Sequence, residues 1–160
     1  MTLILRVFYD MKNLTLTALV CALGLFMAGC SSLSDYETLP SLTITDCSFD
    51  TSDRTHPVIA VPYCINNPLD ISADVARVHF SYKANGLTVY EENRNLDASV
   101  DKFGSFCETR RVTLDAENDP KAASTVLNTM LSRTCEIKAV MYFDDKEAKP
   151  VSADFKKVIK

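Results

Sequence analysis

The chain has 160 residues, with 17 Lys or Arg against 21 Asp or Glu, a formal net charge of −4, and 47% hydrophobic residues. An acidic balance with both signs interspersed lacks the basic face that a nucleic-acid binder needs to displace counterions from phosphate. The doublets Arg110-Arg111 and Lys156-Lys157 read as solvated positions, and the length suits one domain with enough apolar residues to bury a core.

No charged residue occurs between Asn13 and Leu33, and Leu14, Leu16, Leu19, Val20, Leu23, Leu25 and Phe26 form a short apolar run closed by Met27-Ala28-Gly29-Cys30. A membrane-spanning helix needs about 20 apolar residues. This run stops short of that, on small residues set directly before a cysteine, as a cleavage site requires. It resembles the lipobox of bacterial lipoproteins, which implies a signal peptide over residues 1–29, removal before Cys30, and lipid on the Cys30 thiol. Met11-Lys12 makes a tidier start than Met1, because Lys12 then supplies the positive end and Asp10 falls outside the leader. Ser31 follows Cys30 where an aspartate would resemble an inner-membrane retention signal, so the expected site is the outer membrane, facing the periplasm or the cell surface. A diacyl group plus an amide-linked chain exceeds the two-signal threshold for stable anchoring. Residues 30–40 then read as lipidated N-terminus and polar tether, and residues 41–160 as a single domain.

Of the six cysteines, Cys21 leaves with the leader and Cys30 takes lipid. Cys47, Cys64, Cys107 and Cys135 remain, and four cysteines in an oxidising envelope suggest two disulfides. Three pairings are possible. Cys47 and Cys64 lie symmetrically about a turn near Thr55-His56, which favours Cys47–Cys64 and Cys107–Cys135, each loop of about 17 to 30 residues contributing roughly 3 kcal/mol on chain-entropy grounds. No two of them have CxxC spacing, and His56 and His79 sit in no paired-ligand pattern, so no metal and no other cofactor is expected.

Leu42-Thr43-Ile44-Thr45 alternates as a strand, and residues 58–65 form a second, with Pro62 placing part of it at an edge or bulge. Asn66-Asn67-Pro68-Leu69-Asp70 is a turn, because Asn and Asp side chains bond their own backbone and Pro fixes φ. Ala76, Val78, Phe80, Tyr82 and Ala84 alternate with Arg77, His79, Ser81 and Lys83, which predicts a strand with one core face and one wet face, His79 on the latter. Asn85-Gly86 supplies the two positive-φ positions of a hairpin turn returning into Leu87-Thr88-Val89-Tyr90. Residues 105–114 look extended, with a bulge. Asp119-Pro120 opens a helix over residues 120–132, Asp as N-cap and Pro as first residue, with Ala123, Val126, Leu127, Met130 and Leu131 on one face packing against a sheet. Residues 135–143 and 151–159 are further strands, separated by the charged turn Asp144-Asp145-Lys146-Glu147, with lysines protecting the last edge.

Six or seven short strands with regular turn signals predict a mainly β chain, an antiparallel β-sandwich of immunoglobulin or fibronectin type with one added helix. The order of an apolar strand into Asn67-Pro68, an amphipathic strand, Asn85-Gly86 and a later extended pair over 112–143 resembles the water-stress and hypersensitive-response domain, also called the late-embryogenesis-abundant type 2 domain. That resemblance covers most of residues 41–145. It implies a small β-sandwich loosely associated with stress or surface interaction, and transfers no catalytic residue.

The chain lacks Gly-x-Ser-x-Gly, His-Glu-x-x-His and a Gly-rich phosphate loop, so a non-catalytic binding or structural module is expected, with an envelope protein as partner. Its candidate contact residues are Asn66, Asn67, Asp70, Asp144 and Asp145, in the loops 66–70 and 144–150. Two alternatives rest on other residues. Asp46, Asp50, Asp53 and His56 would serve a cation site or hydrolytic chemistry, although their spacing lacks the EF-hand glycine and terminal glutamate. Leu127, Met130 and Leu131 would line a cavity for a small hydrophobic ligand.

Overall fold

A computed structural model describes residues 32–127 and 133–159. The predicted leader with Cys21, Cys30 and Ser31 lies outside the described residues, as do Met130 and Leu131 of the predicted helix. One compact unit begins at Ser32. Its strands are β1 (Ser41–Ile44), β2 (Ser48–Asp50), β3 (Val58–Asn66), β4 (Ala73–Ala84), β5 (Leu87–Val100), β6 (Ser105–Thr113), β7 (Arg133–Phe143) and β8 (Val151–Ile159). A helix, α1 (Pro120–Leu127), falls between β6 and β7.

The strands form two four-stranded antiparallel sheets. In one, β3 is central, with β6 along one side and β1 and β2 sharing the other. The second has the order β5-β4-β7-β8. Alternation explains how they stack. Ile59, Val61, Tyr63 and Ile65 of β3 share one parity and are buried, as are Val78, Phe80 and Tyr82 of β4 and Ile137, Ala139 and Met141 of β7. These faces form one core, in which the Tyr63 and Phe80 rings meet edge to face at 5.3 Å. The result is a mainly β, sandwich-like fold with one short helix.

Local signals acted as expected at several points. Asn85 (φ 51°) and Gly86 (φ 79°) form the β4–β5 turn with both central residues at positive φ. Asp119 Oδ1 accepts from Ala122 N at 3.0 Å at the start of α1, which buries Ala122, Ala123 and Val126 and packs on β5. His79 lies across the β4–β5 pair, its Nδ1 3.2 Å from Asn93 Oδ1.

Other expectations are corrected. Pro62 is in the central strand, not at an edge, and its carbonyl accepts from Thr45 N at 3.0 Å. In an antiparallel strand the N–H and C=O of one residue point the same way. The donor that proline lacks therefore faces the break between β1 and β2, where no ladder bond is required. The bulge expected in residues 105–114 is absent, since β3 and β6 pair in unbroken register from Val58↔Thr113 to Asn66↔Ser105. Register instead shifts in β4 and β5, between Val75 and Arg77 and between Tyr82 and Lys83, with Asp97 at φ 44° accommodating the first.

The disulfides are Cys47–Cys135 and Cys64–Cys107, not Cys47–Cys64 and Cys107–Cys135. Symmetry about residues 55–56 did bring β2 against β3, but Cys47 lies beyond the end of that pairing and turns inward, fully buried. Cys64 finds its partner in β6, where Cys64 and Cys107 are direct register neighbours with Cα atoms 4.2 Å apart on the outer face. Cys47 crosses the core to Cys135 of β7, tying one sheet to the other. The loops closed span 88 and 43 residues in sequence, rather than about 17 to 30.

Candidate functional site

Three loops gather at the end of the sandwich where the chain enters β1. Ser41 pairs with Asn66, Asn66 with Ser105, Ala73 with Val100, Val75 with Phe143, and Met141 with Val151. This register brings together the β3–β4 loop, the β5–β6 turn and the β7–β8 loop. Both predicted contact loops are therefore at one end.

Residues 32–40, expected as a polar tether, are docked on that end. Leu33 is buried in a one-turn 3-10 helix, Leu33–Asp35, whose start is closed by Ser32 N donating to Asp35 Oδ2 at 3.1 Å. Asp145 accepts from the Ser32 hydroxyl and, at 3.1 Å, from Ser34 N. Asp70 Oδ1 accepts from Tyr36 OH at 2.7 Å. The hydrogen bonds from Ser32 and from the backbone N–H of Glu147 hold the Asp145 carboxyl below the usual carboxylate range. A cavity of about 220 Å³ remains between this segment and Glu147, Ala148 and Lys149.

Asn67 is consumed by the fold and does not face a partner. It is 2% exposed, and its Nδ2 donates to Ile71 O (2.8 Å), Val100 O (3.0 Å) and Asp101 O (3.1 Å), while Oδ1 accepts from Leu69 N. One side chain thus closes two loops, which satisfies carbonyls that burial would otherwise leave unpaired. Asn66 ends a paired strand, and Asp144 N donates to Asp74 O at 3.0 Å with its side chain exposed. Of the five candidates, Asn67, Asp70 and Asp145 are therefore engaged within the molecule.

The acidic residues near the opposite end do not converge. Asp46 accepts from Lys157 Nζ at 2.6 Å and from Cys47 N at 2.7 Å, and these bonds lower its pKa. Asp50 turns onto Ser52. Asp53 is held at about 2 by the Thr55 hydroxyl and backbone, and also contacts His56 at 3.3 Å. Among the described residues no three metal-ligating side chains form a group. Leu127 is half-buried, and the cavity beside α1, lined by Leu87, Val89, Ala122 and Thr125, holds about 110 Å³. Small-molecule sites occupy about 300–1,000 Å³.

A charged seam escaped the sequence reading. On β6 the inward parity runs Phe106, Glu108, Arg110, Val112, so that two charges face the interior between two apolar residues. Across from them β5 presents Glu92 and Arg94. Arg110 grips Glu92 bidentately at 2.8 and 2.7 Å, and Arg94 grips Glu108 at 2.7 and 3.0 Å, one pair in each direction between the sheets. Each carboxylate also accepts from a core phenol, Tyr82 to Glu92 at 2.8 Å and Tyr63 to Glu108 at 2.7 Å. Burial, reinforced by the neighbouring carboxylate, pushes both phenols well above the ordinary tyrosine value, so they remain neutral donors. Burial alone would raise Glu92, but the bonds from Arg110 and Tyr82 outweigh it and hold it below the ordinary glutamate value. Every charge in the seam thus has its counter-charge, an arrangement that locks strands together. The signal for it was present: Glu108 and Arg110 share the parity of Phe106 and Val112.

No family model matches the chain, and the curated proteins give no match. Solved structures do resemble it in fold. The solution structure of AT1g01470 from Arabidopsis thaliana superposes with a TM-score of 0.60 at 14% identity, covering 77% of this chain and 82% of that one. The solution structure of a proposed late embryogenesis abundant (LEA) protein, At2g46140.1, superposes with a TM-score of 0.54 at 16% identity, covering 94% of this chain and 86% of that one. The likeness establishes the fold as one shared with these proteins, including an LEA-type protein.

Proposed function

We propose that this chain is a lipid-anchored envelope protein whose β-sandwich-like domain serves as a non-catalytic binding or structural module at the outer membrane, with another envelope protein as partner. The observation that carries the reading is the uncharged apolar run ending in Met27-Ala28-Gly29-Cys30. Two disulfides in a chain of this size support it, because they suit an oxidising compartment. The immunoglobulin or fibronectin type of the sandwich, and its affiliation with the late-embryogenesis-abundant type 2 domain, belong to the same reading. The docking of residues 32–40 moves the expected contact surface away from Asn67, Asp70 and Asp145, towards the exposed tips of those loops.

The test is expression of the full chain in a Gram-negative host fed a clickable palmitate analogue, followed by membrane fractionation and mass measurement of the N-terminal peptide. Label on a peptide beginning at Cys30, recovered with the outer membrane and abolished by Cys30→Ser, supports the anchor. An unlabelled protein that keeps its leader, or is released into the periplasm, rejects it. In-cell crosslinking from residues 144–149 of the labelled protein then captures the partner.

A further inference from the structure

The end of the sandwich at which residues 32–40 dock also carries the most exposed large hydrophobic side chain among the described residues. Phe103 is 71% exposed, more than Val158 (52%), Leu87 (48%) or Tyr90 (37%). It occupies the third position of the β5–β6 turn, closed by Gly104 N donating to Asp101 O at 2.9 Å. Its φ is +54°, a left-handed conformation that costs an aromatic residue energy and that turns ordinarily give to glycine or asparagine. The turn's own glycine is one residue later, where a Cβ would lie 2.9 Å from the Asp101 carbonyl oxygen. The turn is also fixed, because Phe103 N donates to Leu69 O at 2.9 Å and Asn67 N to Gly104 O at 2.9 Å. A fixed backbone at positive φ therefore presents an aromatic ring to solvent, outside the core. The turn's hydrogen bonds account for the backbone but not for an exposed aromatic side chain at a positive φ, and that choice of residue points to a use outside the fold.

The position of that ring suggests the use. Leu33 is buried on the domain, so Ser31 and Ser32 are the whole of the chain between it and Cys30. Three residue steps reach at most about 11 Å. A lipid on Cys30 would consequently hold this end, and not the far end with Gly86, close to the bilayer. Lys102 beside the ring and Lys146 and Lys149 in the β7–β8 loop are exposed there, outnumbered by exposed Asp35, Glu37, Asp70, Asp101, Asp144 and Glu147. With acidic groups in excess, charge does not draw this end to an anionic bilayer, and the attraction has to come from the lipid anchor and an apolar contact. We propose that Phe103 inserts into the acyl region of the membrane that carries the anchor, fixing the domain with its Cys30 end down and the 85–86 and 51–57 loops outward. The proposal rests on Cys30 being lipidated.

The chain contains no tryptophan, so one introduced residue reports alone. Full-length lipidated protein bearing Phe103→Trp, and separately Arg54→Trp in the exposed loop at the far end, is reconstituted in vesicles of phosphatidylethanolamine and phosphatidylglycerol with brominated acyl chains. The lipid mass on Cys30 is measured in the same preparations. With lipid present, bromine quenching at least threefold at position 103 and none at position 54 supports insertion. Lipidated protein quenched no more at 103 than at 54 overturns it while leaving the anchor intact. Absence of lipid on Cys30 overturns the anchor and the insertion together.

Discussion

The two long sides of the sandwich are closed by different chemistry. On the side of β1, β7 and β8, a buried disulfide, Cys47–Cys135, joins the sheets, assisted by the surface pair Lys157–Asp46 at 2.6 Å. On the side of β5 and β6, the sheets are joined by two bidentate Arg–Glu pairs resting on Tyr63 and Tyr82. The Cys47–Cys135 disulfide depends on redox state and is itself indifferent to pH. The ionic side has the opposite sensitivities, and because its groups are half-buried its pairs gain more than surface ion pairs do, at some cost in desolvation. Reduction opens one flank and a pH change weakens the other, so no single change of medium removes both closures.

The largest effect is expected on the covalent side. Closing a loop of 88 residues is worth about 4–5 kcal/mol on chain-entropy grounds, against about 4 kcal/mol for the 43-residue loop of Cys64–Cys107. Because the Cys64–Cys107 link lies inside that loop and shortens it to about 45 residues, Cys47→Ala with Cys135→Ala should lower the unfolding free energy by about 4 kcal/mol in urea titration. The outer-face pair, replaced likewise, should lower it by a similar amount. Non-reducing peptide mapping should recover 47 with 135 and 64 with 107; recovery of 47 with 64 would mean that the two flanks are not closed as described.

A smaller loss is expected from the ionic side. Arg110→Ala leaves Glu92 facing the interior with Tyr82 alone, and should cost about 2 kcal/mol, less than a fully buried orphan charge because the pair is partly solvated. In a double-mutant cycle with Glu92→Ala, a coupling of about 1–2 kcal/mol is expected. A coupling near zero would reduce this side to an ordinary surface pair.

The smallest effect is the pH response, and it separates the two sides. Glu92 has a folded pKa below its unfolded value of 4.5, so its contribution is present above that value and lost as pH falls through the folded one. Tyr63 and Tyr82 have folded values above 10.0, so theirs is present below pH 10 and lost as pH rises beyond it. Urea midpoints should form a plateau between about pH 5 and 10 with an arm on each side. Glu92→Gln should flatten part of the acid arm, Tyr63→Phe with Tyr82→Phe the alkaline one, and Cys47→Ala with Cys135→Ala neither.

The sequence by itself determined what is local. Alternation located β1, β3, β4, β7 and β8, while residues 105–114 read as extended but irregular; Asn85-Gly86 specified the hairpin, and Asp119-Pro120 the start of α1, because turn and cap chemistry act within a few residues. Three-residue β2 and the charged half of β5, residues 91–100, escaped, the first for want of length and the second because its inward positions include Glu92 and Arg94. Tertiary structure decided what depends on which strands become neighbours. Cys64 met Cys107 because β6, and not the segment before β2, lies beside the end of β3 that carries it. Cys47 met Cys135 because one sheet stacks on the other. The same stacking turned Glu92, Arg94, Glu108 and Arg110 from apparent surface charges into a seam, and made residues 32–40 part of the domain through Asp70 and Asp145. Periodicity states which way a side chain points relative to its own strand; what it then meets is set by contacts between residues far apart in the chain, and those exist only once the sheets have closed.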